Sequence, residues 1–264
     1  MTITLKILGC GSSGGVPRVG NNWGHCDPEN PKNRRRRCSV LVERENSAGK
    51  TSVLIDTPPD LREQLIDAGV HHLDGVLFTH DHADHTHGID DLRPLAIMHR
   101  KRVNVWADYL TAQVLLTRFG YCFQTPPGSN YPSILELHSL NASEKVAISG
   151  EGGEIKALPI ELEHGEIPVL GFRIGNTAYT PDLNGVPEDS LKHLSGLDCW
   201  IIDALRRAPH PSHLSLEESL EWISILKPKR AILTNMHVDL DYETLCSELP
   251  AGVEPAYDGM CICL

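Results

Sequence analysis

No stretch of this 264-residue chain approaches the roughly eighteen apolar residues that a membrane-spanning helix requires, so nothing in it reads as built to cross a bilayer. Positive charge is scarce. Lys and Arg number 24 against 35 Asp and Glu, a net charge of −11, which argues against a dedicated nucleic-acid surface and its basic footprint. The eight Cys, at 10, 26, 38, 122, 199, 246, 261 and 263, include no Cys-x-x-Cys pair, and no secretory leader opens the sequence. Free thiols in a reducing compartment, hence a cytoplasmic protein, are the expectation. Cys261 and Cys263 alternate with Ile262 and read as packing residues of a last strand. No Ser/Gly linker and no shift of composition divides the chain, so residues 1–264 read as one domain. The Gly-rich stretch Gly9–Pro17 lacks the Lys-Ser/Thr ending of a phosphate-binding loop. It reads instead as a tight turn that brings backbone close to a site.

What is present in excess is histidine in one place. Thr79-His-Asp-His-Ala-Asp-His-Thr-His87 follows a short apolar strand, Gly75–Phe78, and precedes Gly88–Ile97, which can be read as helical. Open α/β sheets place ligand sites where a buried strand ends and a helix begins. His80 and His82 are two apart and point the same way in an extended segment. Asp84 and His85 follow at once, where the chain must turn. Imidazole and carboxylate together suit zinc, manganese or iron better than a pure-oxygen or pure-thiolate site does. Crowded imidazoles repel one another unless a metal or a carboxylate holds them. His87 lies outside the pattern and reads as a surface residue or one that supports the ligands.

Around this stretch the periodicity predicts strands at Ile3–Leu8, Ser39–Arg44, Ser52–Asp56, Val103–Trp106, Ile155–Leu162, Thr177–Thr180, Cys199–Ala204 and Arg230–Thr234. It predicts helices at Leu61–Ala68 (capped by Asp60), Tyr109–Phe119, Pro187–Leu194, Leu214–Leu226 and Asp239–Leu249, and a closing hairpin over Glu254–Leu264. Residues 120–133 read as a long loop, of the kind that often covers a site. Residues 18–38 form another, ending in Arg34-Arg-Arg-Arg37, which reads as a solvated patch. The order repeats loosely in two halves, strands first and then strand–helix alternation.

Thr79–His85 resembles the signature of the metallo-β-lactamase superfamily. That family places further ligands at a His after a strand, an Asp after the next strand and a His near the C-terminus. The chain offers His164 in Glu-His-Gly, Asp182 in Tyr-Thr-Pro-Asp and His237 in Leu-Thr-Asn-Met-His, each after an apolar run. The resemblance implies an α/β fold, a four-layer αββα sandwich of two mixed β-sheets flanked by helices. It also implies two divalent metal ions, zinc or manganese. His80, His82 and His164 would hold the first, Asp84, His85 and His237 the second, and Asp182 would bridge them. Two such ions roughly 3.5–4 Å apart share a hydroxide and clamp an in-line displacement.

A narrower clue is Pro211-Ser-His213-Leu-Ser215, a His element after a buried strand. With Gly14-Gly-Val-Pro17, the Asn33-Arg-Arg segment and Tyr257-Asp-Gly-Met260, it resembles the phosphodiesterase branch, and most of all the phosphoribosyl cyclic phosphodiesterase (PhnP-like) family. His213 would be the general acid and a substrate contact, and Asp84 is counted with it among the catalytic residues. The substrate would be a small cyclic or nucleotide-like phosphodiester, and a homodimer is implied. The chain departs from that family at a structural zinc held by a Cys-x-Cys-x-x-Cys loop and a late His. Asn21, Trp23 and Cys26 stand at the three Cys positions and Leu240 at the His, so only Cys26 survives. Alternatives are a tRNA 3′-processing nuclease, a thioester or lactone hydrolase, and a non-catalytic, carrier-like metal-binding protein. The nuclease would need a basic arm, and no Gly/Pro/Lys-rich insertion stands between 150 and 190.

Overall fold

Alternation of buried residues between two faces organises the whole molecule. In the computed structural model, which describes residues 2–264, the first half runs β1 (Thr2–Gly9), β2 (Ser39–Asn46), β3 (Gly49–Ile55), α1 (Leu61–Ala68), β4 (Gly75–Leu77), α2 (Ala83–Thr86), α3 (Arg93–His99), β5 (Val103–Ala107), α4 (Tyr109–Phe123) and β6 (Leu135–Ser139). The second runs β7 (Val146–Gly150), β8 (Gly153–His164), β9 (Ile167–Ile174), β10 (Thr177–Thr180), α5 (Glu188–Leu191), β11 (Cys199–Asp203), α6 (Leu216–Leu226), β12 (Arg230–Thr234), α7 (Tyr242–Glu248), β13 (Val253–Pro255) and β14 (Cys261–Cys263). Two seven-stranded sheets result, ordered β14-β1-β2-β3-β4-β5-β6 and β13-β12-β11-β10-β9-β8-β7.

Each sheet begins as an antiparallel meander and ends in three parallel strand pairings linked by crossovers. On β2 and β3, Val40, Val42, Val53 and Ile55 face the core between the sheets, where they meet Ile160, Leu162 and Phe172. Their neighbours Leu41 and Leu54 face the opposite way, into a second core against α1, α3 and α4. Strands buried on both faces give the four-layer sandwich of two mixed sheets flanked by helices. The C-terminal ends of β3, β4, β8, β10, β11 and β12 come to one edge. A bond across the sandwich, from the Leu170 N–H to the Thr79 carbonyl at 2.9 Å, fixes the two sheets to each other there.

Several expected elements change on folding. The hairpin over Glu254–Leu264 does not form. β13 pairs parallel with β12, and β14 pairs antiparallel with β1 in the other sheet. A strand that follows a crossover helix is delivered parallel to its neighbour, so the chain must cross between sheets to use its last apolar residues. Pro187–Leu194 keeps one helical turn, Glu188–Leu191, while Tyr109–Phe119 extends to Phe123 across a kink at Phe119. α6 starts at Leu216, where Ser215 and Glu218 complete a capping box. Asp60 makes no cap bond and instead accepts from the Arg37 N–H at 2.9 Å and pairs with its side chain at 3.0 Å. The arginine run is not a solvated patch. Arg35 is 1% exposed, Arg36 pairs with Asp67 and Asp258, and Arg34 alone is exposed.

Asp241 ties the long loop of residues 18–38 to α7. Its carboxylate accepts from the Thr244 N–H at 2.9 Å, the Asp27 N–H at 3.1 Å and the Asn33 amide at 2.6 Å. Burial works against the charge, but these bonds hold Asp241 down to about 2. A carboxylate held below its unfolded value of about 3.9 contributes stability that is complete above that pH and lost as pH falls towards the folded value. Asp241→Ala is expected to lower Tm by about 2–4 °C at neutral pH, with the deficit shrinking between about pH 4 and pH 2. Melting curves of both proteins across that range check it; a deficit independent of pH would remove the carboxylate from the account.

Candidate metal centre

Asp56 ends β3 with a positive φ of 65°, a conformation that Asp adopts more readily than most residues. The turn tucks its carboxylate, wholly buried, beneath the next strand end. It accepts from the Thr79 N–H and hydroxyl, both at 2.8 Å, and from Nδ1 of His85 at 2.7 Å. The Thr79 hydroxyl in turn lies 2.9 Å from Nδ1 of His80. The following segment is sewn down by Thr57 N–H to the His85 carbonyl and Gly88 N–H to the Thr57 carbonyl, both 2.8 Å. Gly88 is required, because a β-carbon there would stand 2.0 Å from the Pro58 carbonyl oxygen.

The same pattern recurs at three further rings of the site. Nδ1 of His164 lies 2.5 Å from the Ser212 carbonyl, that of His213 2.8 Å from Asp203, and that of His237 3.0 Å from Asp239. With His80 and His85, five rings have a tethered Nδ1, which leaves Nε2 for the site, as at protein metal centres; the exposed His82 has no such tether among the described residues. His80, His82 and His164 bring their ligand atoms within 4.8 Å of one another, and so do His80, His85 and Asp182, and His164, Asp182 and His213. Asp182 is central. Its oxygens lie 3.1 Å from Nε2 of His85, 4.0 Å from those of His80 and His164, and 3.9 Å from that of His213.

Three buried atoms at this focus, Nε2 of His80, Nε2 of His85 and Oδ1 of Asp182, have no hydrogen-bond partner. Unpaired buried polar atoms are costly. Nitrogen and carboxylate donors converging without bonding one another fit a divalent ion well. Charge follows the same geometry. Burial, then the neighbouring His85, depresses His80 well below the usual imidazole range. Burial opposes a charge on His85, but Asp182, Asp56 and Asp84 outweigh it and raise it. Burial also opposes the charge on Asp182, and the surrounding imidazoles, His85 first, outweigh that and lower it.

Of the expected site residues, the structure gathers His80, His82, His85, His164, Asp182 and His213 into this focus. Asp84 stands at its rim, 3.6 Å from Nε2 of His85. His237 faces the same small opening as Asp84 and His213, but outside the close cluster, with its Nε2 against the Arg18 guanidinium. His87 is exposed and packs on Phe119. The sequence reading missed Asp56, Asp203, Asp239 and Arg18. A signal existed for the first two: each is a carboxylate closing an apolar run, Val53–Ile55 or Cys199–Ile202, where only a partner such as an imidazole makes burial tolerable.

Residues 51–236 match the model of the beta-lactamase superfamily domain. The chain is similar to an octanoyltransferase from Porphyromonas gingivalis, 32% identical over 257 residues, which are 96% of this chain and 50% of that protein. It is also similar to a ribonuclease Z from Methanopyrus kandleri, 28% identical over 161 residues, 59% of this chain and 48% of that one. The chain thus spans about half the length of the curated relatives it matches. Among solved structures, a new diphosphatase from the PhnP family is 37% identical, with a TM-score of 0.89 over 100% of this chain and 98% of that one.

If Asp56 orients His85 and, through Thr79, His80, then Asp56→Asn should weaken metal retention by about 10- to 100-fold while the chain still folds. Competition against a graded series of chelators, followed by metal analysis, measures it. Retention equal to that of the parent would show that the ring is held without the carboxylate.

Proposed function

The chain belongs to the beta-lactamase superfamily, near the PhnP family, and from that premise we propose that this metal-dependent hydrolase cleaves a small nucleotide-like phosphodiester or diphosphate. The observation that carries the reading is the set of three unpartnered buried atoms on His80, His85 and Asp182, where the Nδ1 atoms of His80, His85 and His164 are tethered elsewhere. The similarity to a diphosphatase supports phosphorus as the centre attacked.

His80, His82 and His164 would hold one divalent ion, zinc or manganese, and Asp84, His85 and His237 a second, with Asp182 between them. When bound, these ions supply an acidified water and the positive charge that neutralises the phosphoryl oxygens. The rest falls to the chain. Asp56, the Ser212 carbonyl and Asp239 fix ring orientation. His213 makes its tether to Asp203 and turns Nε2 towards Asp182 and the opening, beside the ligand set. It is placed to give a proton to the departing oxygen. Burial opposes a charge on this ring, but the hydrogen bond to Asp203, then the charges of Asp203, Asp182 and Asp84, push it up to about 9. Protein hydrogen bonds thereby favour the donor form.

Similarity to a ribonuclease Z favours a second reading, cleavage of an RNA. Against it stand the net charge of −11 and the tight connection from β8 to β9, which leaves no basic arm there. A homodimer belongs with the proposal as well.

Two experiments test the site. His213→Ala should fold, keep its metal and lose about 10²- to 10⁴-fold in rate on alkyl phosphodiesters, with a much smaller loss on nitrophenyl ones, whose leaving group needs no proton. Equal losses on both classes would make His213 a phosphate ligand instead, and turnover of a lactone or thioester far above any phosphoester would overturn the reading. Metal analysis should find two ions per chain. His82→Ala should lose metal, while Cys26→Ser should leave the content unchanged, since the Cys26 thiol lies 3.9 Å from the buried Arg35 guanidinium, itself a cation. A third ion lost with Cys26 would refute that count.

A further inference from the structure

The opening over the metal centre is a cavity of about 150 Å³ walled by Ser12, Ser13, Arg18, Asp84, Leu205, Arg206, His210, His213 and His237. Asp84, His213 and His237 belong to the reacting side. The other wall comes from the glycine-rich turn after β1, and none of its groups is used by the mechanism above. Ser12 is 2% exposed and its hydroxyl has no partner in the protein. Its own N–H is bonded to the Met236 carbonyl at 3.2 Å, and Gly11 bridges to Arg37 and to Met236, so the turn is pinned beside the strand end that carries His237. The N–H groups of Ser13 and Gly14 donate to no acceptor among the described residues.

Arg18 completes this wall. Its backbone pairs with Asn22, and its side chain lies over Gly14, where a β-carbon would come within 3.2 Å of Cγ and Nε. That packing sends the guanidinium to Nε2 of His237, and it makes no ion pair among the described residues. Arg206, the other guanidinium of the opening, is committed to the Ala208 and Pro209 carbonyls. In the larger cavity of about 560 Å³ over Arg34–Arg37, Asp60, Asp67 and Asp258 neutralise Arg36 and Arg37, Arg35 is buried, and the exposed Arg34 lies over the Trp23 ring.

A guanidinium with no carboxylate partner, an unpartnered hydroxyl and the unused N–H of Ser13 on one concave wall make an anion site. We propose that Ser12, the Ser13 backbone and Arg18 bind a second phosphoryl group of the substrate, adjacent to the one attacked. Two adjacent phosphoryl groups make the substrate class a diphosphate, with its second phosphate held against Arg18. This rests on the reading of the site as a phosphohydrolase, and it makes Arg18 a determinant of specificity.

The test compares two ligands that the enzyme does not turn over, adenosine 5′-monophosphate and the α,β-methylene analogue of adenosine 5′-diphosphate. Their affinities for the metal-loaded protein are measured by calorimetry. The parent should prefer the diphosphate analogue, and Arg18→Met should cut that preference by about 10- to 100-fold. Arg18→Lys should keep part of it, as a point charge without the planar fork. Ser12→Ala should cost about fivefold. A parent that binds both ligands alike, or an Arg18→Met protein that keeps the full preference, overturns the proposal. Turnover of the 4-nitrophenyl ester of thymidine 5′-monophosphate, which carries one phosphate, reads the hydrolase by itself. If that ester and every diphosphate go uncleaved, the functional reading falls, while the affinity ratio still decides the subsite.

Discussion

Asp56 is a carboxylate shut away from water at the end of a buried strand, and the site depends on what it holds. Burial pushes its own protonation upward, while His85 and the two Thr79 donors pull it back. The geometry that satisfies this one anion also fixes the strand end bearing His80 and aims Nε2 of His85 at Asp182. Losing one partner of a buried charged pair costs more than the pair contributes. The arrangement therefore has little freedom to relax: Thr79, His80 and His85 move together or not at all. Through the Thr79 carbonyl and the Leu170 N–H, the same strand end also sets the position of the second sheet.

The two halves of the fold then play matching parts. Each ends in parallel strands whose C-terminal ends carry site residues, and a buried carboxylate closes a strand in each: Asp56 in the first half and Asp203 in the second. One holds the ring of His85 and the other the ring of His213. His85 is wholly buried among carboxylates, whereas His213 lines the opening.

Charge is sorted locally in this acidic chain. The excess of Asp and Glu is largely spread over exposed positions, and the wall of the opening carries Arg18 with no carboxylate paired to it. In the neighbouring Arg34–Arg37 run, every guanidinium but one is buried or neutralised. Arg35 in particular reaches Asn33 and the His237 carbonyl, bracing the loop that carries that histidine.

The sequence by itself determined the ligand types, their order and the two-sheet architecture. His80, His82, Asp84 and His85 are local in the chain, and strand periodicity is a local property that burial on two faces imposes. Element ends were less legible: the one-turn α5 and the split of the last two strands between sheets depend on which neighbour each segment meets. What only the tertiary structure decided is the pairing across long separations. Asp56 with His85 and Arg18 with His237 carry no spacing rule, because each partner arrives from a different part of the chain. A single buried Asp at the end of an apolar strand looks like any turn residue until folding puts an imidazole nitrogen within hydrogen-bonding distance of it.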